Sequence, residues 1–193
     1  MGFRIPQIEK AKNAWRPVPL SEGVCDGGQV TMSDGKTFEV KPSLRGIPID
    51  LGVQSVQQGG QSLVFAETRV RSKSLATKAA DSVSQLLQKK ELTALEKTSK
   101  KILAENEHTE IVKTLATLVK KGVAFHHAGL NQKCREIVEK EFRKGTIKLL
   151  SSTPTLAAGV NLPARRVVIS NINRYNAKIG ANRPISILEY KQL

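Results

Sequence analysis

The sequence predicts an α/β domain built on a parallel sheet. Three observations carry this. Short apolar runs bounded by turn residues occur at Ser62–Ala66, Val123–Phe125 and Ile147–Leu150, the length of buried strands. Between them, apolar residues recur at helical spacing. The resulting order of strand, helix, strand, helix, strand requires crossover connections, and therefore parallel strands flanked by helices.

The elements follow in chain order. Residues 1–16 form an N-terminal tail ahead of a domain spanning 17–193. Residues 17–40 predict a small β element, with Ser33-Asp34-Gly35 turning a hairpin between Gln29–Met32 and Lys36–Val40. Residues 41–60 read as irregular or weakly helical and end in Gly59-Gly60. After the strand at 62–66, Leu75, Ala76, Ala79, Ala80, Val83, Leu86 and Leu87 fall on one helical face. Residues 89–121 continue the helical pattern, with a stripe of Ile111, Leu115, Leu118 and Val119 closed by Gly122. Asn131 is an N-cap for a helix whose inner face is Cys134, Ile137, Val138 and Phe142, and Gly145 ends it. Strands at Ile147–Leu150 and Val167–Ile172 complete the sheet.

Composition narrows the partners. Hydrophobic residues make up 39% and charged residues 25%, enough for a folded core. Lys plus Arg is 31 against 17 acids, a formal charge of +14, which favours polyanions through counterion release. Two distant cysteines make no disulfide framework. No apolar run approaches a membrane span and the start lacks a signal-peptide centre, so a reducing, cytoplasmic setting without membrane is expected.

The chemistry-bearing residues group at strand ends. Gly35-Lys36-Thr37 is no phosphate loop, because the position five before Gly35 is Val30 and the flanks alternate like a hairpin. No adjacent acidic pair offers carboxylates for Mg²⁺. His126-His127 is a poor chelating pair, since neighbours on extended chain face opposite ways, and no zinc spacing joins His108 or Cys134. No metal site and no catalytic residue are therefore expected within these residues. Thr68 and Arg69 place a hydroxyl and a guanidinium after the first strand of the sheet. Ala128-Gly129 lets backbone approach a ligand after the second. Thr153-Pro154-Thr155 and Ala158-Gly159-Val160-Asn161 follow the third, where hydroxyls, free N–H groups and glycine contact phosphates, and Asn161 suits a sugar hydroxyl. Ligands of open α/β sheets bind at this carboxyl edge.

LVFAETR at 63–69, GVAFHHAGL at 122–130 and TPTLAAGVNLPARRVVI at 153–169 resemble motifs IV, IVa and V of superfamily 2 helicases. The resemblance is to the Ski-like branch, and within it to the archaeal Hjm or Hel DNA helicases. AWRPVPLSEGV at 14–24 is similar to the segment that opens the second RecA-like domain of that family. The resemblance implies a RecA-like parallel sheet. It implies that Thr68, Arg69, His127, Gly129, Thr153 and Thr155 face nucleic acid and that Gly159 and Asn161 face the nucleotide. It places a strand-separating hairpin at 170–185, with arms of about six residues, where Arg174 meets phosphate and Tyr175 stacks on a base. It implies a monomeric parent enzyme that hydrolyses ATP with Mg²⁺, bound mainly by a first RecA-like domain. Further C-terminal domains complete that enzyme, and its substrates are single-stranded and forked DNA in repair and recombination. Gln192 matches the start of motif VI, so the chain is expected to stop before that motif and, alone, not to hydrolyse ATP. An RNA helicase of the same branch and a non-catalytic basic nucleic-acid-binding module are the alternatives.

Overall fold

A tight turn at Gly35 reverses the chain within the N-terminal region. Its backbone φ of 83° is open to glycine at no steric cost, and Asp34 accepts the backbone N–H of Lys36 at 3.1 Å. The computed structural model describes residues 20–156, 162–176, 180–187 and 190. The tail at 1–16, the loop holding Gly159 and Asn161, and Gln192 lie outside the described residues. The chain divides into two compact units, one ending at Lys41 and one starting at Pro42.

The small unit is a three-stranded antiparallel sheet of β1 (Gly23–Asp26), β2 (Gln29–Met32) and β3 (Thr37–Glu39), in the order β1-β2-β3. The expected hairpin is its β2–β3 half. Cys25, Val30 and Phe38 stand opposite one another across the three strands and form its apolar side.

The large unit opens with α1 (Ile47–Gln57), then β4 (Ser62–Phe65), α2 (Arg69–Ser84), α3 (Lys89–Ala104), α4 (Glu110–Lys120), β5 (Val123–His126), α5 (Gln132–Arg143), β6 (Leu149–Ser152) and β7 (Arg166–Ile169). The sheet is wholly parallel, in the order β5-β6-β4-β7. Every residue of β4, β5 and β6 is buried, as parallel strands covered on both faces require. Leu75, Leu115, Phe125, Phe142 and Leu150 are fully buried among the core side chains.

Several boundaries differ from the sequence reading. Within 41–60, read as irregular or weakly helical, residues 47–57 form a regular, largely buried helix. Its apolar residues at 47, 49, 51 and 53 alternate and so hide the helical period. Pro48 sits in the first turn, where its missing N–H costs nothing. Gly52 lets α1 approach the sheet: a Cβ there would lie 2.9 Å from Leu149 Cδ1. The stretch 89–121 is two helices, because Thr109 caps the second by accepting the N–H of Val112 at 3.4 Å. The strand expected at 147–150 runs instead over 149–152, with Ser151 and Ser152 fully buried. The strand expected at 167–172 ends at Ile169. The caps of α5 are as predicted: Asn131 Oδ1 accepts the N–H of Cys134 at 2.8 Å, and Gly145 follows the helix at φ 78°.

After β7, β8 (Asn173–Asn176) and β9 (Ala181–Pro184) pair as an antiparallel hairpin, with Arg174 opposite Arg183 and Tyr175 opposite Asn182. Each arm is four residues long rather than six. Asn171 Oδ1 accepts the N–H of Asn173 at 2.8 Å, a local turn that delays the first arm.

Candidate nucleic-acid interface

Parallel register aligns the strand ends. Phe65 pairs with Ser152 and with Ile169, and His126 pairs with Ser152. The loops that follow β4, β5 and β6 therefore leave from one edge, which collects Thr68, Arg69, His127, Gly129 and Thr153.

Each loop is fixed by its own bonds. Thr68 is the N-cap of α2, and its Oγ1 accepts the N–H of Arg71 at 3.1 Å. Its hydroxyl proton is left to donate elsewhere. Arg69, the first residue of α2, is exposed and has no acidic partner within ion-pair distance among the described residues. Among the described residues Arg69 therefore forms no surface ion pair. Across the edge, the Gly129 N–H donates to His127 Nδ1 at 3.1 Å, and the Leu130 N–H donates to the His127 carbonyl at 3.0 Å. This pulls the chain into a tight turn around the imidazole. A Cβ on Gly129 would lie 3.0 Å from His127 Nδ1 and 3.6 Å from Arg69 Cδ. Arg69, His127 and Gly129 thus form one cluster.

Behind it, Ser152 Oγ donates to the His126 carbonyl at 3.0 Å, and the Thr153 N–H reaches the same carbonyl at 3.1 Å. These bonds tie the ends of β5 and β6 together. Thr153 is buried, and Thr155 lies in the single 3-10 turn Pro154–Leu156.

The two histidines behave differently. His127 is buried and stacks on Phe125, with centroids 5.3 Å apart and rings tilted by 16°. Burial pushes its pKa down, and the charge of Arg69 and then His126 add to the effect. His126 turns the other way, to Glu139 on α5, with Nε2 to Oε1 at 2.8 Å. Burial also lowers its pKa, against the opposing pull of Glu139, while Arg135 nearby reinforces the depression. Among the described residues no group of three or more His, Cys, Asp and Glu could hold a metal.

Sequence reasoning missed Ser152, Arg135 and Glu139. Ser152 was taken to lie beyond its strand. Arg135 and Glu139 are spaced i,i+4 and so share a face of α5, the one signal that could have paired them with His126. The edge offers one exposed guanidinium, a hydroxyl, and backbone fitted for close approach, with neutral imidazoles behind. Such groups are chemically suited to contacting an anion.

A parallel α/β sheet with helices around it and convergent loops at its carboxyl edge has the architecture of a RecA-like domain. The chain belongs to the helicase conserved C-terminal domain family, whose profile matches residues 78–182. It is 43% identical over 182 residues to the ATP-dependent DNA helicase Hel308 of Methanocella arvoryzae, covering 94% of this chain and 24% of that protein. It is 41% identical over 183 residues to the protein of that name from Pyrobaculum calidifontis, covering 94% and 25%. For that of Aeropyrum pernix the identity is 42% over 183 residues, covering 94% and 24%. The chain spans about a quarter of the length of these relatives. No described helix is long and apolar enough to cross a membrane.

Proposed function

We propose that the chain is the second motor domain of an ATP-dependent 3′-to-5′ DNA helicase that acts on forked or branched DNA in repair and recombination. The observation that carries this reading is the convergence of Arg69, His127 and Gly129 at the edge shared with Thr68 and Thr153. In this reading the cluster, with Thr155, follows the phosphates of one strand. Gly159 and Asn161 face ATP, which with Mg²⁺ is held mainly by a preceding RecA-like domain. The β8–β9 hairpin, with Arg174 and Tyr175, separates the strands. The 193 residues alone bind single-stranded DNA weakly and hydrolyse no ATP, having neither a phosphate loop nor a metal-binding carboxylate pair.

Binding of the purified chain to an unstructured single strand tests this. Affinity should fall steeply with salt. Arg69→Ala should weaken binding on every sequence and flatten the log–log salt slope by about one contact. Affinity independent of salt, or untouched by Arg69→Ala, counts against the reading. So does DNA-stimulated phosphate release that survives repeated purification.

A further inference from the structure

We infer that the amino edge of the sheet, opposite the loops described above, is a second polyanion surface that takes the phosphate backbone of duplex nucleic acid. Basic residues gather there. Lys120 and Lys121 end α4, Arg143 and Lys144 end or follow α5, and Lys148 immediately precedes β6. Gln61, just before β4, donates from Nε2 to the carbonyls of Phe142 and Ile147, at 2.6 and 2.8 Å, which fixes the end of α5 at this edge. Lys148 holds Glu91 at 2.6 Å, which brings the start of α3, with Lys89 and Lys90, to the same place.

The acids here are already engaged. Glu96 holds Lys120 at 3.4 Å, Asp81 holds Lys121 at 2.6 Å, Glu141 holds Lys144 at 2.9 Å and Glu91 holds Lys148. Lys89, Lys90 and Arg143 are exposed and have no acidic partner among the described residues. Helix physics accounts for the basic residues that end α4 and α5, because cations favour a helix C-terminus. It does not account for Lys89 and Lys90. They occupy the first turn of α3, where each cation opposes the macrodipole. An external anion removes that conflict. The predicted nucleic-acid edge is poorer in net charge: Glu105, Glu107 and Glu136 gather with Lys133 around the start of α5.

Duplex backbone fits this surface better than a protein does. A protein interface needs a contiguous apolar centre, and the apolar side chains flanking Lys89 and Lys90 are two separate exposed leucines, Leu86 and Leu92. Flexible ammonium groups without neighbouring aromatics read phosphate spacing, not bases. The helices that run between the two edges are about 16–24 Å long, so a single strand of a few nucleotides, at about 3.4 Å each, is held at the carboxyl edge without reaching the amino edge.

The test compares a 3′-tailed duplex with a short single strand, using the 193-residue chain, the triple variant Lys89→Gln/Lys90→Gln/Arg143→Gln, and Arg69→Ala. The triple variant should lose about tenfold in affinity for the tailed duplex near 0.1 M salt, and its salt slope should be shallower by about 2–3. Its affinity for the short strand should not change. Lys89→Glu/Lys90→Glu places acids at a helix N-terminus, favours folding, and should weaken duplex binding further. Unchanged duplex affinity and slope in both variants overturn the inference. So does polyglutamate binding that the triple variant abolishes while duplex binding persists. Arg69→Ala separates the two readings: loss in the triple variant with none in Arg69→Ala leaves the amino edge standing and removes the carboxyl one.

Discussion

Nε2 of His126 lies 2.8 Å from Oε1 of Glu139, and the opposite ring nitrogen, Nδ1, is buried without a partner among the described residues. A neutral ring donating from Nε2 satisfies this arrangement. Protonation would bury an unpaired N–H at Nδ1.

Stability should therefore fall on mild acidification. Burial holds the pKa of His126 and of His127 below the usual 6.5. Above that pH both folded and unfolded chains carry neutral rings, and these groups cost nothing. Below it the unfolded chain takes up protons that the folded chain refuses, until the lowered folded values are reached. Urea unfolding at neutral pH and at about pH 5 should show a loss that His126→Gln partly removes. Equal stability of the parent chain at the two pH values would contradict this. The carboxylate of Glu91 acts in a separate, lower window. The Gln88 N–H and then Lys148 lower its pKa from 4.5, so its contribution is present above that value and disappears as pH falls through the folded one.

Asp50 holds the start of the large unit together. Its buried carboxylate accepts Ser43 N–H at 2.8 Å, Ser43 Oγ at 2.6 Å and Arg45 Nε at 3.0 Å, while Arg45 Nη1 also donates to Ser82 on α2. Asp50→Ala should destabilise the chain by about 2–4 kcal/mol, less than a fully buried pair because Arg45 can rehydrate. Chemical denaturation measures it, and a change under about 0.5 kcal/mol, the level of ordinary surface substitutions, would show that the network is dispensable.

Gly129→Ala should separate folding from binding. The new methyl would press on His127 Nδ1 at 3.0 Å and Cε1 at 3.1 Å, and that ring, buried against Phe125, must give by a few tenths of an ångström. We expect a loss of about 1–2 kcal/mol, with single-strand affinity reduced several-fold because the Arg69–His127 cluster is displaced. Unaltered affinity would place the ligand away from this turn.

The β8–β9 hairpin sets Arg174 opposite Arg183. Replacing residues 173–182 by a two-residue turn in a full-length relative should abolish unwinding of a 3′-tailed duplex and leave most DNA-stimulated ATP hydrolysis. Unwinding at the parent rate would remove the hairpin from the mechanism.

The legible parts of the fold were those where local chemistry and tertiary burial agree. Asn131 caps α5 and Cys134, Ile137, Val138 and Phe142 face inward because the same residues satisfy both demands. The start of α1 was obscured because its alternating apolar residues suit a strand as well as a helix that is buried nearly all round. The shift of β6 came from Ser151 and Ser152, polar residues that a sequence places outside a strand. Ser152 is made acceptable by the His126 carbonyl 26 residues earlier, a partner that no local pattern contains. Of the candidate site, Thr68, Arg69, His127 and Gly129 could be read from their strand-end positions, whereas the support from Glu139 and Arg135 required knowing how α5 packs. Net charge pointed to a polyanion but not to a place on the surface.

The sheet order has a consequence for how the chain is made. β4 lies at the interior of the sheet, yet both of its neighbours, β6 and β7, come late in the sequence. Gln61, at its start, meets Ile147 86 residues further on. At a synthesis rate of about 5–20 residues per second, that delay is roughly 4–17 s. Through this time α3 and α4, joined by a short loop, can fold against each other, while Leu63, Val64 and Phe65 wait without strand partners. The ribosome-bound chain thus passes through a helical stage with its future central strand open. Such a strand is what chaperones capture and what pairs wrongly with other nascent chains, so substitutions at 62–65 should affect soluble yield more than they affect the stability of protein that has already folded.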